Sequence, residues 1–250
     1  MLEFNLDHHR TYKYFGRKIA KKISEPNIYL YNNHYYLYSI DKQINKYYKD
    51  RDKKKISFQQ KKFSKINIEI GFGDGEYLLN SAISRPNELF IGSEVYKNGV
   101  IKVLKKIINL GIENIKLSNM NSLYLLNALK AKSVDNLRII NPDPWIKKRH
   151  NKRRLINYEN IKLFSKLIKS SNSIFITTDS KDYIQNIENI LKLYKNELGN
   201  FNISILSSKD ELYGISRYQR KAIKKGKKIY LLKIWNNCLF HTWFIDLWSV

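Results

Sequence analysis

Cysteine is almost absent. Cys238 is the only one in 250 residues, which excludes an internal disulfide and leaves no thiolate cluster for zinc. The five histidines (His8, His9, His34, His150 and His241) have no ligand-like spacing, so no metal is expected. No apolar run approaches the ~20 residues that cross a bilayer. The N-terminal stretch lacks a signal-type apolar region, and Glu3 and Asp7 argue against a transit peptide. A soluble, cytoplasmic protein is expected. Carboxylates are scarce as well: 22 Asp and Glu stand against 46 Lys and Arg, for a net charge of +24. That balance points to a polyanionic partner.

The excess charge is segregated. Residues 1–65 carry a net +10, residues 141–154 +5 and residues 216–228 +7, leaving +2 for the other 158 residues. AT-rich coding would explain many lysines, but not their separation from the carboxylates. Within the first segment, residues 10–22 interleave cations with aromatics, as an arm that settles on phosphates and bases would; a solvated basic helix explains the same pattern. Residues 27–48 hold seven tyrosines without a clean period and read equally as a docked extension or a surface loop. The expected organisation is a basic, Tyr-rich arm (1–65), one α/β domain (66–235) and an apolar tail (236–250).

From Ile66 onward, short apolar runs alternate with helical stretches. Strands are expected at 66–70, 89–93, 115–117, 134–140, 173–178, 201–206 and 228–234, and helices at 76–84, 100–110, 123–131, 161–169 and 183–194. Such alternation demands a mainly parallel sheet with helices on both faces. Sites in these sheets lie beyond the carboxyl ends of the strands. Glu94, Asn121, Asp143 and Asp179 fall there, with Glu69 close by.

Gly71, Gly73 and Gly75 follow the first strand directly and permit a tight turn with close ligand approach. Glu94, at the end of strand two, is placed for a ribose diol. Both features suit NAD or S-adenosylmethionine. Glu69 and Asp74 favour the second, because a carboxylate suits a methionine ammonium and repels a pyrophosphate. Asn121 could read an adenine ring, or simply serve as a turn residue.

The densest signal is Asn141–Arg154, reading NPDPWIKKRHNKRR. Pro142 and Pro144 bracket Asp143, Trp145 follows, and then come Lys147, Lys148, Arg149, Lys152, Arg153 and Arg154. A carboxylate beside a ring and a cationic patch suggests chemistry on a polyanion.

Together with EIGFGDG (69–75), IGSEV (91–95), TTDSKDY (177–183) and SRYQRK (216–221), this stretch resembles the bacterial tRNA (guanine-N7-)-methyltransferase family in order and spacing. The resemblance implies a Rossmann-like class I methyltransferase fold, with a seven-stranded, mainly parallel sheet and an antiparallel last strand. It also implies S-adenosyl-L-methionine as methyl donor and a guanine in the tRNA variable loop as acceptor. By resemblance, Glu69, Gly71, Gly73, Glu94, Asn121 and Asp143 bind the donor. Lys147, Asp179, Ser216, Arg217, Tyr218 and Gln219 then contact the substrate, and Lys148, Arg149, Lys152, Arg153 and Arg154 take tRNA phosphates. Asp143 is the candidate catalytic residue. A monomer or weak homodimer without an obligate protein partner is expected.

The chain departs from the family's pattern at Asn121, where many members carry Asp, and at Gln219, where the usual T-K-F-E ends in a carboxylate. Residues 236–250 extend past the usual end. Two other readings compete: an amino-directed methyltransferase of the same fold, whose motif would read NPPY, and a non-catalytic RNA-binding protein with a relict pocket. The Asp inserted between the prolines and the intact glycine turn weigh against them.

Overall fold

The computed structural model describes residues 12, 13, 16, 18, 19, 22–50, 54–58, 62–206 and 216–235. The tail at 236–250, much of the arm and the side chain of Arg217 lie outside them.

Seven strands form one sheet: β1 (Lys65–Ile70), β2 (Glu88–Ser93), β3 (Ile115–Ser118), β4 (Val134–Ile140), β5 (Ile168–Thr178), β6 (Asn200–Ile205) and β7 (Tyr230–Trp235). Their order is β3-β2-β1-β4-β5-β7-β6. The first five are parallel, and β7 runs antiparallel between β5 and β6. The order reverses between β1 and β4, which opens a crevice at their carboxyl ends.

Between the strands lie α3 (Glu76–Ser84), α4 (Lys97–Leu110), α5 (Ser122–Ala128), α6 (Tyr158–Leu167) and α7 (Lys181–Leu193). Alternate residues of β2 enter different clusters. Leu89 and Ile91 join residues of α5, α6 and α7, whereas Phe90 joins α3 and α4. Helices therefore cover both faces. α4 stops at Gly111, whose φ of 62° closes the last turn without a Cβ penalty.

The Tyr-rich segment is docked. It forms α1 (Glu25–Tyr38) and α2 (Asp41–Lys49), with Ile40 and Ile44 fully buried. Burying a side chain such as Ile44 contributes roughly 1.5–3 kcal/mol. The Ile40 N–H donates to the Leu117 carbonyl at 3.0 Å, so the chain covers the free edge of β3. Asp41 accepts from Tyr35 Oη and Ser118 Oγ, both at 2.7 Å. No clean helical period marks α1, because its tyrosines face both the core (Tyr35) and the solvent (Tyr29 and Tyr36).

Two elements differ from the sequence reading. β5 starts at Ile168, directly after α6, where polar residues at 170–173 concealed it. Ser216–Lys224 forms a capped helix, α9 (Arg217–Lys224), after the short α8 (Lys195–Leu198). Among the described residues, no helix is long and apolar enough to cross a membrane.

Candidate active site

A cleft of about 620 Å³ occupies the crevice at the carboxyl ends of β1, β2, β3 and β4. Its walls include Gly71, Glu94, Asn121 and Asp143, with Met120 and Leu123 supplying apolar surface. Lys152 and Arg153 add cationic side chains. Lys13 and Gly16 of the arm also line it.

The glycine turn closes the cleft from below. Gly71, Gly73 and Gly75 have φ of 71°, 54° and 69°. A Cβ on Gly75 would come within 2.1 Å of Val103 Cγ2, so this glycine lets α4 pack on the turn. A Cβ on Gly71 would meet nothing within 4 Å, which leaves space for a ligand to approach the backbone. Gly73 acts differently: its N–H donates to Glu94 Oε2 at 2.9 Å. Asp74 pairs with Lys102 on α4 at 2.7 Å, on the outside of the turn.

Glu94 holds the turn in place while facing the cleft. Its Oε1 accepts from the Tyr96 N–H at 2.8 Å. Burial pushes its carboxyl up, the N–H groups of Tyr96, Gly73 and Val95 pull it back, and the Asp143 carboxylate adds to the rise. Asn121 caps α5 by accepting from the Leu123 N–H at 3.0 Å, and its Nδ2 donates to the Tyr12 carbonyl at 3.4 Å. Glu69, expected to bind the methyl donor, is not in the cleft wall. It is buried beside Arg138, and burial pushes its carboxyl up to about 8, against the Arg138 charge and with that of Glu94. Its Oε2 has no hydrogen-bond partner.

The Asn141–Trp145 loop forms the opposite wall. Asn141 (φ 47°) and Trp145 (φ 45°) are both left-handed without being glycine, a conformation that costs about 1–2 kcal/mol per residue. The Asn141 N–H donates to the Thr177 carbonyl at 3.0 Å. Asn141 Oδ1 accepts from Thr177 Oγ1 at 3.0 Å and from Gln219 Nε2 at 2.9 Å. Gln219 Nε2 also donates to Thr177 Oγ1 at 2.8 Å, and its Oε1 accepts from the Ser216 N–H at 2.9 Å. Ser216 Oγ accepts in return from the Gln219 N–H at 3.3 Å, completing a capping box.

Two expectations are corrected here. Gln219 is 1% exposed and links α9 to the loop, so it does not face a substrate. Arg154 is 4% exposed and faces inward, with Nε donating to the Pro144 carbonyl at 2.8 Å and a second nitrogen paired with Asp182. It is not a surface cation. Both errors share one cause: a motif carries the presence of a polar group and not its direction.

The other cations behave differently. Lys147, Lys148, Arg149 and Lys152 are exposed on and beside the 3-10 turn Lys148–Arg153. Arg153 lies 5.1 Å over the Trp145 ring, and His150 meets the same ring edge-on at 5.8 Å. The His150 imidazole is lowered from its ordinary value, by desolvation and by the charges of Arg153, Arg149, Lys147 and Lys152. Asp179, at the end of β5, accepts from Lys227 Nζ at 2.8 Å and Tyr218 Oη at 3.2 Å. Burial opposes its charge, but Lys227 and Tyr218 prevail and hold the carboxyl below its ordinary value. Asp179 and Tyr218 stand outside the cleft wall, on the α9 side of the loop.

Asn141 and Thr177 stand in the quoted motifs but were given no role of their own, and Lys13 and Gly16 of the arm were not expected in the cleft. The pre-proline position of Asn141 predicts an extended backbone rather than its φ of 47°, and only the tolerance of Asn for the left-handed region hints at it. Nothing local marks the inward role of Thr177 or the position of the arm.

A family model described as a putative methyltransferase matches residues 64–232. A tRNA (guanine-N(7)-)-methyltransferase of Wolbachia pipientis wMel is 34% identical over 197 residues, 78% of this chain and 86% of that one. A protein of the same name from Roseobacter denitrificans is 32% identical, over 66% of this chain and 71% of its own. A bifunctional methyltransferase of Rickettsia conorii is 34% identical over 85% of this chain, which spans only 38% of that longer protein. The crystal structure of the 16S rRNA methyltransferase KamB has the same fold, with a TM-score of 0.54 at 12% identity, covering 70% of this chain and 89% of that one. The glycine turn, Glu94 and the Asn141–Arg154 loop all fall inside the matched region, and the chain belongs to the tRNA (guanine-N(7)-)-methyltransferase family.

Proposed function

We propose that this protein transfers a methyl group from S-adenosyl-L-methionine to N7 of a guanine in tRNA, with the base drawn from the variable loop. The observation that carries the reading is one cleft holding two carboxylates, Glu94 and Asp143, with Lys152 and Arg153 also in its wall. The residues present fit the methyl donor. Space beside Gly71 admits a ligand against the backbone, Met120 and Leu123 offer apolar surface to a flat ring, and the carboxylates suit a cation. When bound, S-adenosylmethionine supplies an electrophilic methyl group on a sulfonium. Glu94 and Asn121 would hold the nucleoside end, each with oxygen lone pairs left after its backbone bonds.

Guanine N7 has an in-plane lone pair and no proton, so no residue has to act as a base. Asp143 instead faces the positive charge that develops on the purine and accepts hydrogen bonds from the guanine edge. Trp145, held between Arg153 and His150, shapes the entry for a base that has left its stack. Asp179 and Tyr218 form the outer wall of that entry, and Lys147, Lys148, Arg149 and Lys152 take phosphates. Ser216 serves mainly as the cap of α9. Much of the acceleration comes from aligning N7 with the methyl group. A tRNA substrate implies a cytoplasmic location. A monomer or weak homodimer is a further proposal, which light scattering on the purified chain checks.

Single-turnover methylation of bulk tRNA by the Asp143→Ala variant tests the reading, with N7-methylguanine mapped by strand cleavage. The expected result is a rate loss of roughly 100-fold or more at saturating tRNA. A near-normal rate removes Asp143 from the mechanism, and cleavage outside the variable loop removes the substrate site.

A further inference from the structure

The cationic run ends in two adjacent arginines with different tasks. Both line the cleft, but Arg153 lies over Trp145, whereas Arg154 is only 4% exposed. Its guanidinium joins the Pro144 end of the loop to two adjacent residues of α7. Nε donates to the Pro144 carbonyl at 2.8 Å, Nη2 pairs with Asp182 in the first turn of α7, and the plane lies 4.8 Å over the Tyr183 ring. Tyr183 is itself fully buried and accepts from the Ile156 N–H at 2.9 Å, so the base of the contact is rigid.

We propose that Arg154 is a positioning residue for methyl transfer, fixing the Asn141–Trp145 loop against α7 and thereby setting the carboxylate of Asp143. Pro142 and Pro144 each fix φ, so the backbone that carries Asp143 has little freedom apart from movement of the whole loop. The loop also carries left-handed residues at both ends, a conformation that persists only where the surroundings hold it. Gln219 and Thr177 hold the Asn141 end, and Arg154 holds the Pro144 end. A guanidinium is required because it offers several donors in a fixed fork, which a lysine ammonium cannot reproduce. This proposal rests on the role given above to Asp143.

Arg154→Lys keeps the charge and removes the fork. Methylation of bulk tRNA is measured in single turnover at saturating tRNA and S-adenosylmethionine, alongside tRNA affinity at several salt concentrations and thermal melting. The expected result is a rate lower by roughly 10- to 100-fold. tRNA affinity and its salt dependence should stay unchanged, and melting should fall by no more than about 10 °C, as the loss of one buried hydrogen bond would cause. Adding Arg154→Lys to Asp143→Ala should then have little further effect. A normal rate with weaker, less salt-sensitive tRNA binding would make Arg154 a phosphate contact and overturn the proposal. If Asp143→Ala alone is slow and Arg154→Lys slows it again by its full factor, the Asp143 reading stands and this proposal falls. If Asp143→Ala is near normal, the Asp143 reading itself falls. Should Arg154→Lys fail to fold, Asp182→Ala loosens the same contact from an exposed residue. A smaller loss in the same direction supports the proposal, and an unchanged rate sinks it.

Discussion

The two walls of the cleft reach similar backbone conformations by opposite means. On one side Gly71, Gly73 and Gly75 take positive φ at no steric cost. On the other, Asn141 and Trp145 take it with full side chains. The difference follows from what each wall presents. The glycine turn has to offer bare backbone to a small ligand, and any side chain would be in the way. The loop has to offer a carboxylate and a ring, followed by cations, so it cannot be built of glycine. Its strain is held by the buried groups of Gln219, Thr177 and Arg154, drawn from three other parts of the chain.

Breaking the glycine side should have the largest effect on stability. At Gly75, Ala adds the left-handed penalty to a collision with Val103, which is packed in a fully buried position. Urea unfolding of Gly75→Ala should show a loss of about 2–5 kcal/mol. Gly71→Ala meets no neighbour, so its loss should stay near 1–2 kcal/mol while affinity for S-adenosylmethionine drops. Equal losses from the two variants would mean that the turn does not divide its glycines between packing and ligand approach.

The loop side should break more gently and in a chemically specific way. Gln219→Ala leaves Asn141 Oδ1 and Thr177 Oγ1 each short of a bond in a buried place, at about 1–3 kcal/mol. Gln219→Glu should be tolerated far better. A carboxylate only accepts, and Asn141 Nδ2, now buried without a partner, can supply the donor if the Asn amide turns over. Thr177 Oγ1 can donate as well. This exchange explains how an amide can stand where relatives of the family carry a carboxylate. Melting and methylation by the two variants test it: if Glu proves as damaging as Ala, the pairing scheme is wrong.

The two walls were also unequally legible in the sequence. The glycine turn and the strands feeding it could be read locally, because apolar periodicity and glycine spacing are properties of neighbouring residues. Val134–Ile140 and Glu76–Ser84 form with the expected bounds. The presence of Asp143 in the cleft wall was also legible, since two prolines and a tryptophan isolate it. What could not be read was support from afar. Gln219 reaches Asn141 across 78 residues and Arg154 reaches Asp182 across 28, and the motifs that hold them carry no sign of which way either side chain turns. α9 was missed for the same reason, since few of its residues are apolar and its buried side centres on Gln219 and Ala222.

The smallest effect should separate the loop's outward cations from its inward one. Lys148 and Arg149 are exposed on the 3-10 turn, where a phosphate could approach without moving the loop. Each contact with tRNA lost by substitution to Ala should flatten the log–log salt dependence of binding by roughly 0.7–0.9. The methylation rate at saturating tRNA should stay unchanged, because neither side chain supports Asp143. Gly71→Ala, on the other wall, should leave the salt slope untouched while weakening the methyl donor. A salt slope that is the same with and without Lys148 and Arg149 would assign tRNA recognition to another basic segment, such as α9 with its net positive Lys221 and Lys224. The loop would then serve the chemistry alone, and both walls of the cleft would be devoted to aligning one methyl group.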